Sequence, residues 1–179
     1  MTEVAVRPLG GGDHEALRAF FLRVPEGDRT FFREDVLAEG VIERWTAGAD
    51  GERFLAVRDG DVVGYLALVA GVGWSSHVGE LRVVVDPTRR RTGVGRALAR
   101  HGLLVGLDRG LTKLVVEVVA DQEPTLAMFS ALGFEAEALL RDHVRDGTGQ
   151  LRDLIVMAHF VEATWDAMRT IGLDDALSS

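Results

Sequence analysis

The sequence predicts a single α/β domain built on a mixed, mostly antiparallel sheet with helices on its faces. Three observations predict it. Short apolar runs of strand length alternate with amphipathic stretches of helical length, in the order β-α-α-β-β-β-α-β-α-β-β-α. The unit from Glu80 to Val119 reads strand, turn, helix, strand, which requires a parallel pair joined by a right-handed crossover. Two turn signals, Asp59-Gly60 and Asp146-Gly147, each join neighbouring apolar runs into an antiparallel hairpin.

Taken in order, EVAVRP alternates apolar and polar residues and reads as the first strand. An amphipathic helix follows, with Asp13 as its N-cap, and runs to Val24. PEGDRTFFRED is a loop, and EDVLAEGVIERWTAG a second helix weakened by Gly40. ERFLAVRDGDVVGYLALVAG gives the first hairpin, and GELRVVVDP a strand stopped at Pro87. GVGRALARHGLLVGLDRG is helical, with Gly110 as its C-terminal stop. LTKLVVEVVA is almost wholly apolar, as an interior strand must be. EPTLAMFSALGF is a short helix with Pro124 in its first turn and Gly133 past its end. The second hairpin occupies the stretch up to residue 160. Residues 161–177 form a terminal helix with Trp165, Met168 and Ile171 close to one stripe, which covers the sheet or meets a second subunit. The expected organisation is one domain over 1–160 and a helical extension over 161–179.

Composition narrows the chemistry. With 179 residues, a domain buries roughly 70% of its unfolded surface and needs no disulfide or metal staple. The chain has no cysteine, which excludes disulfides, thiolate zinc sites and cysteine-based acyl transfer. No HExxH pattern or His cluster points to a metal. GWSSH has a Gly-x-Ser start but no closing glycine, so the nucleophile elbow of serine hydrolases is missing. No apolar run is long enough to span a membrane, and the first residues lack a secretory pattern, so a cytoplasmic protein is expected. A formal net charge of −8 disfavours nucleic acid as a partner. Positive charge is nevertheless concentrated: Arg82, Arg89, Arg90, Arg91, Arg96 and Arg100 cluster around one turn, opposed only by Asp86. Such a site on an acidic chain suits a small anionic ligand, or is a solvated charged loop.

The chemistry of that turn favours the ligand. After Pro87, the residues Arg90-Arg91-Thr92-Gly93-Val94-Gly95 lead straight into a helix. A helix start exposes N–H groups that lack intrahelical partners and carries partial positive charge. Glycines without a Cβ let anionic oxygens approach the main chain, and Arg90, Arg91 and Arg96 add charge. A diphosphate satisfies several such donors at once. The nucleotide motif G-x-x-x-x-G-K-[ST] fails for want of its lysine, and G-x-G-x-x-G fails at Leu98.

Arg90-x-x-Gly93-x-Gly95, following LRVVVDP, resembles the acetyl-CoA-binding motif of the GNAT N-acetyltransferases, and Leu132-Gly133-Phe134 after a short helix is similar to the family's later motif. The resemblance covers roughly residues 53 to 160. It implies the GNAT fold, with a splayed parallel strand pair, acetyl-CoA as cosubstrate, no metal, and a primary amine on a small molecule or peptide as acceptor. It implies further that the main chain of Val83, Val84 and Val85 pairs with the pantetheine arm. The amides from Arg91 through Thr92, Gly93, Val94 and Gly95 to Arg96 hold the pyrophosphate. Members of the family often dimerise, so a homodimer is possible. Many members carry a tyrosine acid where this chain has Phe129, which instead packs beside the pantetheine. Where they carry an asparagine near the pantetheine, Asp121 or Gln122 stands here, Gln122 being the better amide donor.

Attack by an amine requires a group that takes its proton, and such a base contributes about 10²–10⁴-fold. Glu80 opens the strand that approaches the thioester, and is either that base or a solvated strand-end carboxylate. His77 and Glu117 are alternatives, each with an ordinary surface role as rival. His101 falls on the apolar arc of its helix and reads as a partly buried core histidine, while His143 in the last hairpin has no assigned role. Phe31 and Phe32 line an acceptor pocket or anchor their loop, and Glu26, Asp28, Glu34 and Asp35 attract a cationic amine or solubilise the surface. The expected activity is direct transfer of acetyl from acetyl-CoA to a primary amine. The rival expectations are a catalytically weak or inactive acyl-CoA sensor on the same fold, and a phosphate- or nucleotide-binding domain.

Overall fold

The computed structural model describes residues 3–29, 32, 34–49 and 51–161. Its strands are β1 (Ala5–Pro8), β2 (Glu52–Arg58), β3 (Asp61–Ala70), β4 (Val78–Val85), β5 (Lys113–Val119), β6 (Glu135–Arg145) and β7 (Leu151–Phe160). They form one sheet in the order β1-β2-β3-β4-β5-β7-β6. Every neighbouring pair is antiparallel except β4 and β5. The helices are α1 (His14–Arg23), α2 (Glu26–Arg29), α3 (Val41–Thr46), α4 (Val94–Asp108) and α5 (Glu123–Ser130). The mixed sheet with one parallel pair is the architecture the sequence predicts, and β5, paired on both sides, is the interior strand expected from its apolar run.

Alternation of side chains along each strand sorts the core into two layers. On β4, Leu81, Val83 and Val85 face α4 and α5 together with Leu98, Leu114, Val116, Phe129 and Phe134. Val84 faces the opposite way, into the layer of α1 and α3 with Leu17, Phe20, Phe21, Trp45 and Tyr65. Phe21 anchors that second layer through edge contacts with Phe20, Phe32, Trp45 and Tyr65, at centroid distances of 5.2, 5.6, 6.0 and 5.2 Å. Each of these large side chains contributes roughly 1.5–3 kcal/mol by leaving water.

Local differences from the sequence reading have identifiable causes. The second helix begins only at Val41: Gly40 adopts φ 80°, and Asp35 Oδ1 accepts from the Leu37 amide to make a polar turn before it. The preceding loop contains one helical turn, α2, behind Pro25. Asp13 does occupy the N-cap position of α1, but its carboxylate turns back to the Gly10 amide and to Arg7, at 2.8 and 2.7 Å. At the first hairpin Asp59 and Gly60 have φ 54° and 86°, the left-handed pair that a two-residue turn demands. The second hairpin turns through residues 146–150, where Asp146 Oδ1 accepts from the amides of Thr148 and Gln150, and Gly149, not Gly147, takes the positive φ of 87°. Apart from Val161, the expected terminal helix over 161–177, with Trp165, Met168 and Ile171, lies outside the described residues. No helix among the described residues is long and apolar enough to cross a membrane.

Candidate active site at the splayed strands

The parallel ladder between β4 and β5 is short. It consists of Val78↔Lys113, Gly79↔Leu114 and Glu80↔Val115, and then stops, although β4 continues to Val85 and β5 to Val119. Both strands remain paired on their outer sides, β4 with β3 and β5 with β7. A gap therefore opens between 81–85 and 116–119, with the inner main-chain edge of β4 facing it. From Glu80 to Val85 it runs roughly 17 Å at a strand's rise per residue. An extended amide-containing chain can enter such a gap as an added strand.

The open end of the gap leads to the turn before α4. Asp86 caps the one-turn helix that follows β4, accepting from the Thr88 amide and hydroxyl at 2.9 and 2.7 Å and from Arg23 Nε at 3.0 Å. Burial pushes the Asp86 carboxyl up, but the Thr88 and Arg23 bonds outweigh it and hold the group below the usual carboxylate range. Arg91 takes φ 60° and Gly93 φ 87°, and nothing stands within 4 Å of the place a Gly93 Cβ would occupy. The first helical bond of α4 is Ala97 N to Gly93 O, so the amides of Val94, Gly95 and Arg96 donate to no protein acceptor among the described residues. The two glycines differ in role. Gly93 faces open space, whereas a Cβ on Gly95 would meet Met128 Sδ at 3.2 Å and Val85 Cγ2 at 3.5 Å. The missing Cβ of Gly95 thus admits α5 to α4, while its amide stays among the donors at the helix start.

The arginines of the turn also divide. Arg90 is paired with Asp28 of α2, which ties the turn to the loop after α1. Arg91 and Arg96 are exposed and stand beside the first turn of α4. Thr92 is held by Arg58 of β2 and by its own hydroxyl's bond to the Arg89 carbonyl at 2.6 Å.

On the face opposite α4, three charged side chains meet where the ladder ends. Glu80 and Arg82, two apart on β4, project to the same side and pair side-on: Arg82 Nε donates to Oε1 at 2.8 Å and Nη2 to Oε2 at 3.3 Å. Their side chains are 19% and 21% exposed. By register Glu117 of β5 stands across the gap from Arg82, and the two interact electrostatically. Burial lowers the Arg82 pKa, but the Glu80 bond and the charges of Glu80 and Glu117 raise it overall. The arrangement offers a carboxylate whose Oε2 is the oxygen less tightly held by Arg82, beside the point where the β4–β5 ladder ends.

The remaining candidates are placed as follows. Gln122 occupies the N-cap position of α5, and its carbonyl accepts from the Thr125 and Leu126 amides at 3.0 and 3.1 Å. Asp121 is drawn off to Arg152, at 2.8 Å. Phe129 is 3% exposed, edge-on to Phe134 at 5.2 Å, and so is part of the core beneath the gap. Tyr65 is fully buried, its hydroxyl accepting from Arg53 Nε at 2.9 Å, and burial pushes its pKa up, against the pull of Arg53. His77 is exposed at the closed end of the ladder, where its carbonyl accepts from the Thr112 and Lys113 amides. His101 packs against Phe54 at 4.5 Å as a core histidine, and His143 is exposed on β6. Phe32 anchors its loop against Phe21 and Tyr65, while Phe31 lies outside the described residues. Reading the sequence missed Arg58 and the pairing of Arg82. The second was legible as opposite charges at i and i+2 on a strand.

Comparison with known proteins agrees with this geometry. The model of the acetyltransferase (GNAT) family matches residues 15–134. The mycothiol acetyltransferase of Amycolatopsis mediterranei is 34% identical over 135 residues, covering 69% of this chain and 43% of that protein. The [ribosomal protein bS18]-alanine N-acetyltransferase of Escherichia coli is 37% identical over 76 residues, covering 42% of this chain and 51% of that one. The chain thus spans about half the length of the curated relatives it matches. The crystal structure of a phosphinothricin acetyltransferase from Sinorhizobium meliloti in complex with AcCoA superposes with a TM-score of 0.75 at 20% identity, covering 89% of each chain. With the fold, the splayed ladder and the sequence match in agreement, the chain belongs to the GNAT acetyltransferase family.

Proposed function

We propose that the chain transfers an acetyl group from acetyl-CoA directly to a primary amine on a small molecule or a peptide. The observation that carries this reading is the interruption of the β4–β5 ladder in line with the unpartnered amides that open α4. In this reading the diphosphate binds at Arg91 to Arg96, with Arg90 able to exchange Asp28 for a phosphate oxygen. The pantetheine arm runs along Val83, Val84 and Val85, with Gln122 on the other wall and Phe129 packed below. The thioester then lies near Glu80, and the amine approaches from the face that carries Glu80, Arg82 and Glu117.

The amine nitrogen attacks the thioester carbonyl, the C–S bond breaks, and the amine proton passes to Glu80 directly or through a water. Oε2 is the accepting oxygen, since Arg82 engages it at 3.3 Å against 2.8 Å for Oε1. Coenzyme A leaves as thiolate, a tolerable leaving group with a reference thiol pKa of about 8.5. No tyrosine serves as acid in this scheme, because Tyr65 is sealed in the core and Phe129 has no proton to give. The AcCoA bound in the S. meliloti structure supports the cosubstrate, and the alanine N-acetyltransferase among the relatives supports the amine class.

Phe129, which has no proton to give where many relatives carry a tyrosine acid, favours one rival, an acyl-CoA-binding sensor without turnover. Thiol release from acetyl-CoA, measured with alanine amide, an N-terminal alanyl peptide, an amino sugar and a diamine, separates the two. Catalysis predicts turnover on at least one amine well above hydrolysis. It also predicts a loss of about 10²-fold or more in kcat for Glu80→Gln, with acetyl-CoA affinity unchanged by calorimetry. Tight binding with no turnover on any amine supports the sensor.

A further inference from the structure

Arg58 is the last residue of β2 and projects to the sheet face that carries α4, two positions on from Ala56 of that core layer. It is 9% exposed. Its Nη1 donates to Thr92 Oγ1 at 3.1 Å and its Nη2 to the Thr92 carbonyl at 3.2 Å. Its Nε is buried and has no partner. Three other arginines around the gap have carboxylates: Arg23 has Asp86, Arg82 has Glu80 and Arg90 has Asp28. Among the described residues Arg58 has none; its bonds go to Thr92 alone.

That arrangement is unfavourable in the unliganded chain for two reasons. A guanidinium withdrawn from water with no carboxylate in salt-bridge contact, its cross-strand neighbour Asp61 being exposed to solvent, loses hydration that neutral oxygens replace only in part. It also lies against the residue two before Val94, at the positive end of the α4 dipole, where a cation is repelled. An anion bound at that helix end relieves both terms at once.

We propose that Arg58 is a positioning residue for the diphosphate of coenzyme A. It fixes Thr92, and with it the amides that follow, and its own charge gains a close anionic partner only when the diphosphate is bound. The inference rests on the diphosphate assignment made above. It assigns to β2, a strand remote in sequence from the arginine-rich turn, a share in cosubstrate affinity.

Calorimetry with acetyl-CoA and with S-acetylpantetheine, which has the same thioester arm but no diphosphate, tests it on the full chain. Arg58→Gln keeps a donor for Thr92 and removes the charge. The expected result is acetyl-CoA binding weakened about tenfold, as for loss of one charge-assisted contact. S-acetylpantetheine binding stays within about twofold, because only the diphosphate feels the charge. The unliganded variant melts at or above the wild-type temperature, and its upward shift with coenzyme A is smaller. Arg58→Lys, which keeps the charge, retains more of the preference for acetyl-CoA than Arg58→Gln does. Unchanged acetyl-CoA affinity in Arg58→Gln, equal losses for both ligands, or a variant that melts lower or fails to fold each overturns the proposal in favour of a structural prop. If the wild type itself shows no preference for acetyl-CoA over S-acetylpantetheine, the diphosphate assignment fails and this inference falls with it.

Discussion

Arg82 illustrates how one side chain changes the meaning of another. Glu80 in isolation is a carboxylate at the mouth of a gap; paired side-on with Arg82 it is one held in a fixed orientation. A displacement of about 1 Å in a reacting group can cost 10²-fold. Arg82→Gln is therefore expected to lower kcat on whichever amine turns over by at least about tenfold, leaving acetyl-CoA affinity intact. If Arg82 acts through Glu80, the double variant with Glu80→Gln loses no more than Glu80→Gln alone. Additive losses in the double variant contradict that account. The charges at 80, 82 and 117 were all visible in the sequence, but only the register, with Glu80 opposite Val115, shows that Arg82 and Glu117 stand at the same level.

At the scale of elements, the legible features were those governed by local rules. The Asp59-Gly60 turn, the helix ended by Gly110 and the apolar interior strand each follow from residue type and period, and each stands where the sequence places it. What was not legible depended on tertiary packing or on competition between local structures. The segment before Gly40 has helical composition, yet an Asp35-centred turn and a left-handed glycine win there. Gly95 looked like a phosphate glycine because of its spacing from Gly93, and only the position of Met128 on α5 reveals its use in packing. Arg58 carried no signal at all. It ends a strand of ordinary β composition, and its burial beside α4 follows from the sheet order and the crossover, not from its neighbours in sequence.

At the scale of the molecule, two histidines outside the site link stability to pH. Desolvation lowers the pKa of His101, whose Nε2 is buried without a partner. Desolvation also lowers that of His159, against the opposing bonds from its backbone partners at Gly133 and Leu132. Both groups are depressed in the fold, so the unfolded chain binds protons first as pH falls. Their contribution is complete above the unfolded value of about 6.5 and is lost progressively below it. The exposed His14, raised by its bonds to Glu43 and Glu15, pulls the other way but is screened by solvent, so the melting temperature of the wild type is expected to drop between about pH 7 and pH 5. His101→Leu, which fills the same contact with Phe54 by an apolar group, reduces that slope without abolishing it, because His159 remains. Parallel melting curves for variant and wild type over that range contradict the assignment.

The central claim concerns the whole molecule as well: β4 and β5 part company so that a thioester arm can lie between them, with its diphosphate on the first turn of α4. A crystal structure of the chain with coenzyme A tests this most directly. The account predicts diphosphate oxygens within about 2.7–3.2 Å of the amides of Val94, Gly95 or Arg96, and pantetheine amides bonded to the main chain of Val83 to Val85. Those amides bonded to solvent or protein, with coenzyme A seated elsewhere, would contradict it.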